Sequence, residues 1–91
     1  MAHLSHDNAA LLARVRRIGG QVGAVERALQ GEAGCAEVLQ LVAAVRGAVN
    51  GLLDAIIADH LDAHVAAPGL SDAERAQGAE ELLAVIRRYS K

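Results

Sequence analysis

The sequence predicts an all-α protein, a three-helix protomer that packs with a second copy as an antiparallel helical dimer. Three observations carry the fold class. Apolar residues recur at three- and four-residue steps over long stretches. Helix-breaking punctuation is confined to two places, "GEAGC" at 31–35 and "APGL" at 67–70. No segment shows the two-residue alternation of a strand. The need for a partner comes from composition: 53% of the residues are apolar, yet Trp and Phe are absent and Tyr89 is the one Tyr. In 91 residues, Ala, Val, Leu and Ile make a thin core, which chains of this size commonly complete by oligomerisation.

The first helix is expected over about residues 6–30. Ser5 suits its N-cap, and Leu11, Val15, Ile18, Val22, Val25 and Leu29 form a coiled-coil-like seam. The second should run from about Ala33 to Ala66, with Val38, Leu39, Val42, Val45, Val49, Leu52, Leu53, Ile56 and Ile57 as a broad apolar face. Pro68 disfavours helix at the residue before it and so ends this element. Ser71 and Glu74 then have capping-box spacing, and a third helix extends to about Tyr89 with Leu82, Leu83 and Ile86 facing inward.

Net charge is −2, so the chain is no polycation, and nucleic-acid contact would need a local basic patch. Arg14, Arg16 and Arg17 form the densest one, which as residues alone reads first as a solvated helix face. A single cysteine excludes an intrachain disulfide and suits a reducing cytosol. His6, Asp7 and Asn8 interrupt any N-terminal leader pattern, and Arg46, Asn50 and Asp54 interrupt the longest apolar region. The expectation is one soluble, cytoplasmic domain over residues 1–91, with no membrane association.

The candidate ligands are Cys35, the pair His60 and His64 in "DHLDAH", and the N-terminal His3 and His6. His60 and His64 share a helix face by their four-residue spacing. His60 lies 25 residues beyond Cys35. At about 1.5 Å per helical residue that is roughly 37 Å. A metal bond spans only about 2.0–2.3 Å. One straight helix therefore cannot bring both to one ion, whereas two antiparallel copies set Cys35 of one beside His60 and His64 of the other.

The midpoint of such a crossing falls near residue 48. "AAVRGAVNG" there places Ala44 with Ala48, and Gly47 with Gly51, at four-residue spacing. Small residues admit a close helix, which is either helix one of the same chain or a second copy of helix two. Their central position points to the second copy. Enzyme chemistry is not expected: Leu61 stands where the zinc-protease motif H-E-x-x-H has its glutamate, and no base is placed beside Cys35.

"RVRRIGGQVGAVERAL" (14–29), Cys35, "AAVRGAVNGLL" (43–53), His60 and His64 together resemble the CsoR/RcnR family of bacterial repressors. The resemblance spans nearly the whole chain. It implies three-helix protomers paired into dimers and commonly tetramers, binding operator DNA without a helix-turn-helix and releasing it when an inducer fills an inter-subunit site. It implies DNA-backbone contacts for Arg14, Arg16 and Arg17, with Arg46 contributing from "VRG". Gly19 departs from the basic residue often found before "GQ".

The inducer follows from the ligand set. Copper(I) sensors resemble Cys-His-Cys, and His64 takes the third place here. Persulfide sensors use two cysteines. Formaldehyde sensors resemble this chain at the cysteine but look to an N-terminal proline, where this chain begins Met1-Ala2-His3. The set His3, Cys35, His60 and His64 is similar to that of nickel/cobalt sensors. Ni(II) or Co(II) therefore comes first, formaldehyde second and Zn(II) third. A metal-binding bundle without DNA affinity is the rival class.

Overall fold

The computed structural model describes residues 8–89 and has three α-helices: α1 Ala9–Gln30, α2 Cys35–His64 and α3 Asp72–Tyr89. The all-α, three-helix expectation holds. Helix one starts later than expected, with Asn8 at the N-cap position and no side-chain cap. Ser5 lies outside the described residues, as do His3, His6 and Lys91. The described residues fall into two compact units, Asn8–Asp54 and the residues from Ala55 onward.

In the first unit, α1 and the N-terminal part of α2 form a hairpin joined through residues 31–34. The predicted α1 seam divides: Leu11, Ile18 and Val25, seven residues apart, are half-buried. The alternate set Val15, Val22 and Leu29 is 48, 51 and 67% exposed. A single neighbouring helix covers one ridge of a two-ridge seam, so the other stays open. α2 behaves likewise. Val38, Leu41, Val45, Ala48 and Leu52 are half-buried, while Leu39, Val42, Val49 and Leu53 are exposed.

No apolar side chain among the described residues is fully buried. α2 is also long and apolar enough to cross a membrane by length and composition. The core helix of a soluble protein meets the same test, and Arg46, Asn50 and Asp54 lie within this helix.

In the second unit, α3 lies against the last turns of α2 at Gly78, which is buried. A methyl group at Gly78 would stand 2.7 Å from the carbonyl carbon of His64 and 2.9 Å from its Cβ, and closer still to its carbonyl oxygen. Glycine is thus the residue that lets the two backbones touch. Leu82 is half-buried, but Leu83 and Ile86 are 39 and 40% exposed, so only part of the expected inward face is covered.

The joint is built as the sequence suggested. Gly69 has φ 83°, the conformation that the position after proline requires in a type II turn. The Arg75 guanidinium donates to the carbonyls of Val65, Ala67 (3.3 Å) and Leu70 (3.4 Å), gathering oxygens left without helical donors. The capping box is present: Ser71 N donates to Glu74 Oε1 at 2.8 Å, and Glu74 N to Ser71 Oγ at 3.0 Å. The Ser71 backbone N–H first, and the Ser71 hydroxyl second, hold the Glu74 carboxyl below its ordinary value of 4.5.

Two outcomes follow for stability. Gly78→Ala should lower the thermal midpoint by the equivalent of about 1–3 kcal/mol or more, the usual cost of overpacking. That outweighs the roughly 1 kcal/mol that alanine gains in a helix interior; an unchanged midpoint would show that α3 does not rest on His64. Because the folded Glu74 pKa is depressed, its contribution is present above pH 4.5 and is lost as pH falls through the lower folded value. Ser71→Ala should lower the midpoint at pH 7 and flatten stability against pH across that acid window, measured by circular dichroism.

Candidate metal centre and nucleic-acid interface

His60 and His64 occupy successive turns at the end of α2, and their rings lie side by side, 4.9 Å between centroids and tilted by 46°. The Gly78 carbonyl is 2.9 Å from His60 Nε2. A carbonyl only accepts, so Nε2 carries the proton and the lone pair of neutral His60 is at Nδ1. Glu81 Oε1 stands 3.7 Å from the same nitrogen, beyond hydrogen-bond range but near enough to place a carboxylate at that edge of the ring. Outer hydrogen bonds of this kind hold a ligand imidazole in one tautomer and orientation.

Cys35 is exposed and is the first residue of α2, at the opposite end of the helix from the histidines. Among the described residues, no three His, Cys, Asp or Glu side chains converge as a metal-binding group. The histidine pair and one thiol are nevertheless the nitrogen and sulfur donors that borderline divalent metals take. His3, the remaining predicted ligand, lies outside the described residues. Sequence reasoning missed Gly78 and Glu81. An interior glycine in a helix is a signal of close backbone approach, but it does not say which backbone arrives.

Arg14, Arg16 and Arg17 are exposed on α1, and Arg46 is exposed on α2. Arg14 and Arg17 line a cleft of about 100 Å³ with Ile18, Gly47, Ala48 and Gly51. A methyl at Gly51 would lie 3.4 Å from Arg14 Nη1. Ala48 and Gly51 of the small-residue patch therefore adjoin α1 of their own chain, while Ala44 and Gly47 are exposed and a Cβ at Gly47 would meet nothing within 4 Å. At Gly51 the reason is steric: the missing side chain leaves room for the Arg14 guanidinium.

α2 carries a different open stripe. Cys35, Leu39, Val42, Arg46, Val49 and Leu53 recur at four- and three-residue steps and are all exposed. Arg46 thus sits in the middle of an apolar ridge, unlike the three arginines of α1.

Comparison with known proteins agrees with this architecture. The family model described as metal-sensitive transcriptional repressor matches residues 7–88. A Serratia marcescens chain described as an uncharacterized protein in the bioA 5′ region is 48% identical over the full length of both chains. The transcriptional repressor RcnR of Salmonella arizonae is 41% identical, again over both full lengths. Among solved structures, a glutamate-to-histidine variant of the formaldehyde-responsive regulator FrmR of Salmonella enterica serovar Typhimurium superposes with a TM-score of 0.87. It is 41% identical, covering 97% of this chain and 99% of that one. With its three helices, its paired histidines and a family match over nearly every residue, the chain belongs to the metal-sensitive transcriptional repressors, DNA-binding regulators and not enzymes.

Proposed function

We propose that the protein is a cytoplasmic repressor that holds operator DNA when metal-free and releases it when Ni(II) or Co(II) fills a site shared by two subunits. The observation that carries this reading is the position of the donors. Cys35 and the His60–His64 pair begin and end one 30-residue helix, and an exposed, mostly apolar stripe starts at Cys35. A second copy laid antiparallel covers that stripe and sets Cys35 beside His60 and His64 of the partner subunit, twice by symmetry. The open ridge of α1 at Val15, Val22 and Leu29 leaves apolar surface for pairing dimers into a tetramer.

Within the site, Cys35 supplies a thiolate, His60 its Nδ1 and His64 a second imidazole. His3 extends the set toward the five or six donors that Ni(II) and Co(II) accept. Zn(II) needs only four, so zinc binding would not identify the inducer. Metal lowers DNA affinity only through tighter binding to the DNA-free form, and the coupling is reciprocal. Engaging His3 would pull on α1, which carries Arg14, Arg16 and Arg17. A formaldehyde-responsive repressor is the second reading, favoured by the exposure of the single thiol at Cys35.

The deciding experiment is a mobility shift on DNA upstream of the protein's own gene, with Ni(II), Co(II), Zn(II), Cu(I) and formaldehyde added separately. Release by Ni(II) or Co(II) at the lowest concentration is expected; release by formaldehyde alone would establish the second reading. Cys35→Ala and His60→Ala should each abolish high-affinity Ni(II) binding. Mixed after unfolding and refolding, they should recover about a quarter of the wild-type sites, because half of the dimers are hybrids with one intact site of two. No recovery in the mixture would place all donors in one subunit.

A further inference from the structure

We infer that Arg75 is a positioning residue for the histidine pair: its hold on the α2–α3 joint fixes the main chain at His64, and with it the spacing of His60 and His64, before a metal arrives. The inference rests on the metal-binding reading for the use of that spacing, not for the contacts that set it.

α2 ends at His64, and the last carbonyls of a helix have no helical N–H to accept from. Leu61 is the exception, since its carbonyl accepts from Val65 N at 3.1 Å and from Ala66 N at 2.8 Å. The second bond spans five residues, so the final turn is wider than an α-turn. That turn carries His64, and an outside hold can set its shape.

α3 supplies the hold from one face. Arg75 and Gly78, three residues apart, share that face. Gly78 lies against the carbonyl group of His64, and the Arg75 guanidinium donates to the next carbonyl, that of Val65. The same guanidinium donates to Ala67 at 3.3 Å and to Leu70 at 3.4 Å. Two successive carbonyls are gripped, and the joint beyond them is drawn to one side chain.

The course of the joint does not call for Arg75. Gly69 makes the turn after Pro68, and the Ser71–Glu74 box starts α3. Ordering a long, half-buried arginine costs conformational entropy that the turn itself does not require. His60 has its own anchor in the Gly78 carbonyl, 2.9 Å from Nε2. His64 lines a groove of about 470 Å³ with Leu70 and Gln77, not a closed core, so its main chain has more of the placing to do. The two ring centroids are 4.9 Å apart. A pair held near its bound geometry loses less freedom on chelation and binds more tightly.

The test compares full-length Arg75→Met, Arg75→Lys and Ser71→Ala with the wild type. Lysine keeps the charge but gathers its donors on one nitrogen, so it cannot span the carbonyls from Val65 to Leu70. Ser71→Ala loosens the same joint without touching those bonds. Four quantities are measured: imidazole NMR signals of the metal-free protein, Ni(II) affinity, the Co(II) absorption spectrum and the thermal midpoint. Arg75→Met should move the His64 imidazole signals and change the Co(II) spectrum. It should weaken Ni(II) binding about tenfold, the lower end of the roughly 10–100-fold that supporting residues of metal ligands contribute. Arg75→Lys should fall between Arg75→Met and the wild type. Ser71→Ala should lower the midpoint and leave the other three quantities at wild-type values.

If Arg75→Met does not fold, Arg75→Lys decides, and displaced imidazole signals with weaker Ni(II) binding uphold the inference. Wild-type imidazole signals and Ni(II) affinity in the folded Arg75 variants would overturn it. So would equal losses in Ser71→Ala at an equal fall in midpoint. A wild-type protein that takes up neither Ni(II) nor Co(II) would reject the nickel/cobalt reading, while displaced imidazole signals in the metal-free Arg75 variants would still uphold the hold on the pair.

Discussion

The structure depends on a mismatch between α2 and the rest of the chain. Thirty helical residues rich in Val, Leu, Ile and Ala present more apolar surface than α1 and α3 cover. Burial of apolar surface is the main favourable contribution to folding. A chain with no fully buried apolar side chain among residues 8–89 therefore leaves much of that contribution unused. In the proposed dimer a second copy would cover the open ridge of α2, and the same act would give Cys35 its histidine neighbours. Assembly and sensing then share one helix.

The two ends of α2 are prepared differently. At the C-terminal end, Gly78 brings α3 onto the backbone of His64, and the Gly78 carbonyl takes the His60 Nε2 proton. Arg75 binds the carbonyls of the following joint, and the Ser71–Glu74 box starts α3 directly afterwards. The histidines are held by residues of their own chain. At the N-terminal end, Cys35 is exposed. A preformed imidazole pair and an open thiol suit a site that is completed by association, because little reorganisation is then needed at the moment of binding.

The glycines of α2 acquire a different meaning from the one their spacing suggests. Small residues four apart commonly mark a close helix crossing. Here Gly51 adjoins the Arg14 guanidinium, and Gly47 and Ala48 line the same cleft with Arg14 and Arg17. Arg46, read with the other arginines from its place in the chain, sits on the open stripe of α2. A basic residue amid exposed Leu39, Val42, Val49 and Leu53 combines solvated charge with a surface suited to pairing, and its long stem covers apolar neighbours.

The sequence alone determined the helix count, both joints, the capping box at Ser71 and Glu74, and the pairing of His60 with His64. Each is a local matter of periodicity, proline and glycine stereochemistry, or four-residue spacing. It also carried the family, through ordered motifs along the chain. Tertiary structure decided what spacing could not: which ridge of the Leu11–Leu29 seam is covered, that Leu83 and Ile86 stay open, and that Gly51 adjoins Arg14 of α1. It alone shows Gly78 and Glu81 at the His60 ring. The physical reason is that periodicity marks a face as apolar or small, whereas the identity of its neighbour depends on where a distant segment of chain comes to rest.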